Sequence, residues 1–553
     1  MNPQGNIHPT GPRNAKIAVV IDAPSAQDIW ASRPLANTSG EAFSQLLQQA
    51  GLLRTECYIT ALMRYRPLKD EISRFATSVK AEADRFALTE REAGLFIHPK
   101  MREFRSSLQE EMRLLSPTVI ITLGPYSTWA LTDVYGPTAT WRGSQLQCTV
   151  LPEATVIPTY HPADLFRQYD QRGLAIRDLL RAHCVARQPH LYREPRYNFT
   201  ISPSLSQVLG YLEDCLYQLK QGELKISCDI ETIAYYISCV GLALNAREAI
   251  CIPFMSLEGH YWSAEEELLI HVKLREVLTH PNAFIIGQNF NYDDQHFATE
   301  FGYLANLGFD TLYAQQVLLP GTKKSLDTLS SLYCHWHRYW KDENKDYAKL
   351  PDDMSLYWRY NCKDTVTTFE IHLAQQELIA YYGKEKQLRD LHRMGAAALR
   401  SMLRGVRIDT LLRSHVAEQL MAAIEQYTAL IHQFAGFPLN VSSTPQMQKL
   451  FYEDLNLPVQ VNRKTHRPSL DGDALQALAK IEPIIKPFIE VIELRRQLGT
   501  FLKTYCMMKL GTDGRMRCTY NVAGTETFRF SSSADAYGTG GNLQNLSTGD
   551  SDE

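Results

Sequence analysis

The 553 residues, 44% hydrophobic and 21% charged, fit a globular protein of three or four domains with sizeable cores. A formal net charge of −4 supplies no global basic field, so any nucleic-acid contact must come from local patches. No apolar run is long enough to span a bilayer and MNPQGNIHPTGPRNAK has no apolar signal core, which argues against membrane insertion and secretion; the 11 cysteines form no C-x-x-C pair, which favours reduced cytoplasmic thiols over zinc or iron–sulfur sites.

In chain order, AKIAVVI reads as a buried strand, EAFSQLLQQAGLL as a helix ending at Gly51, and PTVIITLG and TVIPTYHP as further strands. Strands separated by helices predict an α/β layer sandwich to about Arg187. ARQPHLYREPRYNF, with two prolines and little periodicity, is a linker. A second α/β unit opens on the helix SLSQVLGYLEDCLYQLKQGE; KISCDIE, ISCVGLALN and AICIPF follow closely enough for an antiparallel meander, then the strand AFIIGQNF and helices to about Gly383. From Gln387 to about Leu510 the pattern is almost wholly helical, and RMRCTYNVAGTETFRF turns strand-like, with Met516, Cys518, Tyr520 and Val522 alternating.

Three short motifs carry chemistry. In KISCDIE the period of two puts Asp229 and Glu231 on one face of a strand. Two carboxylates there repel each other unless a cation lies between them, and hard divalent metals take carboxylate oxygens; a solvated strand end satisfies the same triplet. GQNFNYDD places Asn289 in a turn and Asp293 near a helix start, where Asp293 or Asp294 could equally be a cap. In YNCKD, Tyr360 and Asp364 share one helix face, as an ordinary surface pair would.

In this order and at these separations, DIET, GQNFNYD and YNCKDTVTTFEIH, with FDTLYAQQVLLPGTKKSLDTLSSLY before the last, resemble the proofreading 3′→5′ exonuclease of the DNA polymerase I type, family A. The resemblance implies that Asp229, Glu231, Asp293 and Asp364 hold two Mg2+ or Mn2+ ions. It also implies that Tyr360 orients the attacking water and Asn289 helps to position a single-stranded 3′ end.

Further on, RMGAAALRSMLRGVRIDT and PLNVSSTPQMQKLFYEDLNLP resemble the thumb of the same family, with Arg495, Arg496 and Lys503 as backbone-contact candidates. TETFRFSSSADAYGTGGNLQNL resembles its T-x-T-G-R-x-S-S…N-L-Q-N segment, with Phe528 in place of the usual glycine, so that the local turn is expected to differ. By that resemblance Arg529, Asn542, Gln544 and Asn545 contact or support the primer–template minor groove, whose acceptors are common to all base pairs. The family's catalytic aspartate motifs would follow this point, and Asp550, Asp552 and Glu553 read as a charged tail. Polymerisation is therefore expected only where a second chain, or later residues, carry the palm and fingers motifs.

The first 187 residues resemble the uracil-DNA glycosylase superfamily through IDAPSAQD, AGLLRTECYITALMRYRP, SPTVIITLG and PTYHPADLFR. Asp22 and His161 match its catalytic loops. Leu35 stands where an aromatic ring would stack on an extruded base, Ala61 where an asparagine would read uracil, and Tyr65 at a cluster-cysteine position, so no iron–sulfur cluster is expected.

The combined expectation is an α/β and α+β multidomain chain. It comprises a uracil-DNA glycosylase-like α/β sandwich (1–187, degenerate), a ribonuclease H-like exonuclease (198–385), a helical polymerase thumb (386–512) and an incomplete palm (513–553). The function expected is the front part of a replicative DNA polymerase, acting on DNA in the cytoplasm of a phage-infected bacterium. A non-catalytic DNA-binding replisome scaffold and a free-standing 3′→5′ exonuclease are the alternatives.

Overall fold

The computed structural model describes residues 5–341, 353–462 and 467–545. The chain divides into two compact units, one of Met1–Arg393 with Thr525–Thr527 and one of Met394–Gly524 with Phe528–Glu553.

The first unit is built around two large sheets. In the N-terminal part, β1 (Ile17–Ile21), α1 (Thr38–Gln49), β2 (Cys57–Ala61), α2 (Pro99–Leu115), β3 (Val119–Leu123), α3 (Pro125–Thr132), β4 (Leu146–Gln147), β5 (Thr155–Pro158) and α4 (Arg172–Arg187) follow in sequence. The strands lie in the order β2-β1-β3-β5-β4, parallel apart from β4. Parallel strands must be covered on both faces, which is why they read as continuous apolar runs. Ile17, Val19 and Ile21 pack with Phe43 and Leu47 of α1 and Leu179 and Val185 of α4, whereas Ala18 and Val20 pack with Leu108 and Met112 of α2 and Trp129 of α3. The expected sandwich is present.

The second sheet is built from β6 (Asn198–Thr200), β7 (Leu224–Ile233), β8 (Tyr236–Ala243), β9 (Glu248–Pro253), β10 (Ala283–Gly287) and β11 (Leu307–Asp310), in the order β11-β10-β7-β8-β9-β6. Strands β7, β8 and β9 form the expected antiparallel meander, and β10 joins β7 in parallel. Helices α5 (Leu205–Gln221) and α6 (Ala264–Leu278) cover one face through Val208, Leu212, Ile270 and Leu274. After the short helices α7 (Asn291–His296), α8 (Thr311–Leu318) and α9 (Leu326–Tyr333), the long helix α10 (Met354–Tyr381) covers the other face, with Tyr357, Trp358, Cys362 and Val366 against Cys239 and Cys251.

The second unit is mainly helical. After α11 (Glu385–Arg404), α12 (Thr410–Ala435), α13 (Gly472–Ile481) and α14 (Lys486–Phe501) enclose a core of Ile431, Phe451, Leu475, Leu478, Ile489 and Ile492. The alternating run at its end is not one strand. β12 (Arg515–Met516) pairs with Val406–Arg407, and β13 (Thr519–Asn521) pairs with β14 (Ser531–Ser533), with Met516, Cys518 and Val522 still buried. Among the described residues no helix is long and apolar enough to cross a membrane. The acidic residues Asp550, Asp552 and Glu553 lie outside the described residues.

Candidate functional site

The strand parity of β7 turns Ser227, Asp229 and Glu231 toward α10. Ser227 Oγ donates to the Thr365 carbonyl at 2.8 Å, which docks helix on strand. Asp229 lies opposite Gly241 of β8, and a Cβ there would stand 2.4 Å from Asn361 Oδ1 and 2.5 Å from Thr365 Oγ1. Glycine is thus what lets α10 approach closely enough to deliver its polar face. Asn361 Nδ2 uses that closeness, donating to Asp229 Oδ2 at 3.0 Å and to the Asp229 carbonyl at 3.2 Å. The β7–β8 register shifts between Glu231 and Thr232, a bulge of the kind that re-aims a side chain beside a site.

Carboxylate oxygens of Asp229, Glu231 and Asp364 all lie within 4.8 Å of one another. Asp364 comes from α10, one turn after Tyr360, whose hydroxyl hydrogen-bonds it. Asp293, on α7, stands outside that trio; it is buried, and its Oδ1 accepts the Ile230 N–H at 3.0 Å.

Burial, and then repulsion from the neighbouring carboxylates, pushes Asp229, Glu231 and Asp293 well above the usual carboxylate range. Asp364 rises to about 6 through burial, moderated by Lys341 and by hydrogen bonds from Trp340 and Tyr360. Clustered buried carboxylates with strained ionisation are the donor set a hard divalent cation satisfies, so the residues present fit such an ion.

Asn289 is exposed at the turn after β10, with φ 56. That turn is held by a residue to which the sequence reading gave no role. Asp310, at the end of β11, accepts the N–H groups of Asn289 at 3.0 Å, Phe290 at 2.9 Å and Leu312 at 2.8 Å, so it caps α8 and shapes the turn together. Its signal was an aspartate just before a helical run, the ordinary N-cap pattern. Asn361 and Trp340, whose Nε1 donates to Asp364 Oδ1 at 2.6 Å, were missed as well.

In the N-terminal part, Asp22 follows β1 and its carboxylate accepts the N–H groups of Ser127 at 2.7 Å and Tyr126 at 3.4 Å, at the start of α3. Gly124 makes room: at φ 141, a Cβ there would lie 2.3 Å from Asp22 Oδ2. Burial raises the Asp22 carboxyl to about 6. His161 caps the short helix Pro162–Leu165, its Nδ1 accepting the Ala163 N–H at 3.2 Å, and burial lowers its pKa.

Leu35 is only 3% exposed and packs in the core, with φ 51. Its loop is tied down by Arg54, which donates to the carbonyls of Pro34, Leu35 and Gly40, and by Asp28, which accepts the Ala36 N–H at 2.6 Å. Tyr65 packs edge-on against Phe75 and Phe104, a structural use of the position. Ala61 is buried at the end of β2.

Of the second unit's candidates, Arg496 donates to the carbonyls of Val441 and Leu470, so its guanidinium is engaged within the fold. Arg495 donates to Thr428 Oγ1 at 3.2 Å. Arg529 and Gln544 are exposed, and Asn545 ends a short Leu543–Asn545 helical turn. Asn542 Oδ1 accepts from the Ser532 hydroxyl and from the Gln544 N–H, the latter at 3.0 Å. Phe528 takes φ 61, in the left-handed region that glycine adopts freely and other residues rarely do.

Three family models match the chain: the Uracil DNA glycosylase superfamily over residues 8–182, a 3′-5′ exonuclease over 209–379, and DNA polymerase family A over 411–553. The chain therefore carries, in this order, regions that match the uracil-DNA glycosylase superfamily, a 3′-5′ exonuclease and DNA polymerase family A. Among curated relatives it is similar to DNA polymerase I of Bacillus subtilis (strain 168), 26% identical over 256 residues, 43% of this chain and 27% of the relative. It is also similar to the thermostable DNA polymerase I of Thermus filiformis, 31% identical over 144 residues, 26% of this chain and 17% of the relative. The chain thus spans roughly a quarter or less of the length of these relatives. A solved structure of the POL domain of Pol1 from M. smegmatis, in complex with DNA primer-template and dNTP, aligns with TM-score 0.47 and 18% identity over 63% of this chain and 56% of that one.

Proposed function

We propose that residues 198–385 are a metal-dependent 3′→5′ exonuclease that removes nucleotides from single-stranded DNA ends within a family A DNA polymerase. The observation that carries this is the trio of Asp229, Glu231 and Asp364, with oxygens within 4.8 Å of one another inside the region, 209–379, that matches a 3′-5′ exonuclease. In this reading Asp229, Glu231 and Asp364 hold Mg2+ or Mn2+ directly. Asp293, which supports β7 through the Ile230 amide, completes a two-ion set. Two such ions, when bound, activate a water and stabilise the leaving 3′ oxygen.

The chain's own residues do the rest. Asn361 orients Asp229 by the bond to its Oδ2. Tyr360, tied to Asp364, orients the attacking water, and exposed Asn289, fixed by Asp310, positions the terminal nucleotide. In Mg2+ with a 3′-labelled single strand, Asp229→Ala is expected to abolish degradation; activity surviving in the purified variant would overturn the assignment.

Residues 386–512 and 513–553 are the thumb and the start of the palm in this reading, and Arg529, Asn542, Gln544 and Asn545 face primer–template duplex. Primer extension then requires catalytic aspartates from further residues of the same polypeptide or from a second chain. Residues 1–187 form a degenerate glycosylase domain. Two observations support that: the Asp22 carboxylate is engaged by the start of α3, and Leu35 is buried where a stacking ring would be needed. Release of free uracil from a uracil-containing oligonucleotide would reverse this last reading.

A further inference from the structure

Between α9 and Lys341 the chain runs from Cys334 to Trp340 with neither helix nor strand. Cys334, His337 and Trp340 are buried in it, and backbone polar groups withdrawn from water there need partners from elsewhere. Here the N-terminal part supplies them. Arg181 of α4, 1% exposed, donates to the carbonyls of Ser331 at 2.7 Å, Cys334 at 3.0 Å and His335 at 2.8 Å. Gln145 donates its backbone N–H to the His337 carbonyl at 2.7 Å and accepts the His337 N–H on its Oε1 at 3.2 Å. The Tyr339 N–H donates to Ser144 Oγ at 3.1 Å. Arg142, paired with the fully buried Asp178, donates to Ser331 Oγ at 2.8 Å.

Burying two arginines and an aspartate carries a desolvation cost that an apolar interface avoids. What the charges provide is direction, because each guanidinium fork fixes several carbonyls or oxygens at once. The clasped segment ends on Trp340, which is 1% exposed and whose indole N–H meets Asp364 Oδ1 at 2.6 Å. Lys363, next to Asp364 in the chain, lies 5.6 Å from the ring centres of both Trp336 and Trp340. A chain of direct contacts therefore runs from α4 of the N-terminal part to a carboxylate of the candidate metal centre.

We infer that the glycosylase-like region serves the exonuclease as a scaffold: its Arg142–Asp178–Arg181 clasp fixes the 331–340 segment, and through it Trp340 acts as a positioning residue that orients Asp364 for the metal. This rests on the reading of Asp364 as a metal ligand. Hydrogen-bond partners of ligating carboxylates set affinity, and losing one typically weakens metal binding by about 10- to 100-fold. The exonuclease then depends on a domain that needs no glycosylase chemistry to be required.

The test uses the full chain and Mn2+ alone as the probe, with free Mn2+ followed by electron paramagnetic resonance. Trp340→Phe keeps an aromatic ring and removes the donor, and it is expected to weaken Mn2+ binding by about 10-fold or more in a chain that still unfolds cooperatively, if at a somewhat lower temperature. Arg181→Met is expected to weaken binding in the same direction. The Trp340→Phe/Arg181→Met pair should bind no more weakly than Trp340→Phe alone, since the clasp acts through the indole. If Arg181→Met does not fold, Arg181→Lys, which keeps the charge but loses the fork, takes its place. Wild-type affinity in Trp340→Phe, or in both Arg181 variants, overturns this inference alone; a wild-type chain that takes up no Mn2+ overturns the metal reading and this inference with it.

Discussion

Tyr360 and Asp364 are joined by one hydrogen bond on one face of α10, and that bond separates a catalytic from a packing role for the tyrosine. Tyr360→Phe preserves the buried ring and removes only the hydroxyl. Single-turnover rates on 3′-labelled single strands are expected to fall on the order of 10²-fold, with substrate affinity and unfolding temperature little changed. An unchanged rate would show the hydroxyl to be structural. At this scale the sequence reveals candidate ligands better than their supports. Asp229, Glu231, Tyr360 and Asp364 stand out through the order of three motifs that resemble a known exonuclease; their strand and helix periods alone would suit a solvated surface equally well. Trp340 and Asp310 give no such signal, because each acts across a fold-dependent gap: 24 residues from Trp340 to Asp364, 21 from Asp310 to Asn289. Asn361 sat inside a motif already singled out, but its partner Asp229 is 132 residues away.

Helix α10 carries more than the site. His372 is fully buried on it among Phe284, Phe309 and Phe369, and among the described residues neither ring nitrogen has a hydrogen-bond partner. Burial lowers its pKa to about 4. An imidazole neutral in the fold and readily protonated when unfolded stabilises above pH ~6.5, and that stability drains away as pH falls toward 4. At pH 5 the loss amounts to about 2 kcal/mol relative to neutral pH. His372→Phe should therefore narrow the difference in urea midpoint between pH 7 and pH 5, and a difference equal to the wild-type one would refute the buried-neutral state. Element types were readable here, since the β7–β9 meander and the α10 pattern follow directly from apolar periodicity. The alternation of Met516, Cys518, Tyr520 and Val522 misled in detail: two short strands with different partners preserve the same inward side chains that one strand would.

For the molecule as a whole, the proposed metal reading predicts that ion binding is coupled to the stability of one compact unit. An ion held only by the folded state adds about 2.7 kcal/mol at a concentration 100 times its dissociation constant. Calorimetry with Mn2+ and again with EDTA should move the transition of the unit containing Met1–Arg393 and leave that of the unit from Met394 in place. A metal-independent scan would remove the cluster as a binding site. The order of regions along the chain was legible from motif order alone. Their interlocking was not, because Arg142, Asp178 and Arg181 look like ordinary charges on a strand-rich, helical background until the fold brings Ser331 to them.

The loop around Leu35 limits what a single substitution can do there. Its side chain fills the core and its carbonyl is gripped by Arg54, while a Cβ on Gly40 would approach that same carbonyl to 1.8 Å. Exchanging Leu35 for an aromatic residue would overpack the interior, at about 1–3 kcal/mol, instead of offering a ring to the solvent. A stacking ring at position 35 would thus require the Arg54 and Gly40 contacts of the loop to rearrange along with it, so a single exchange there is expected to cost stability without presenting a ring.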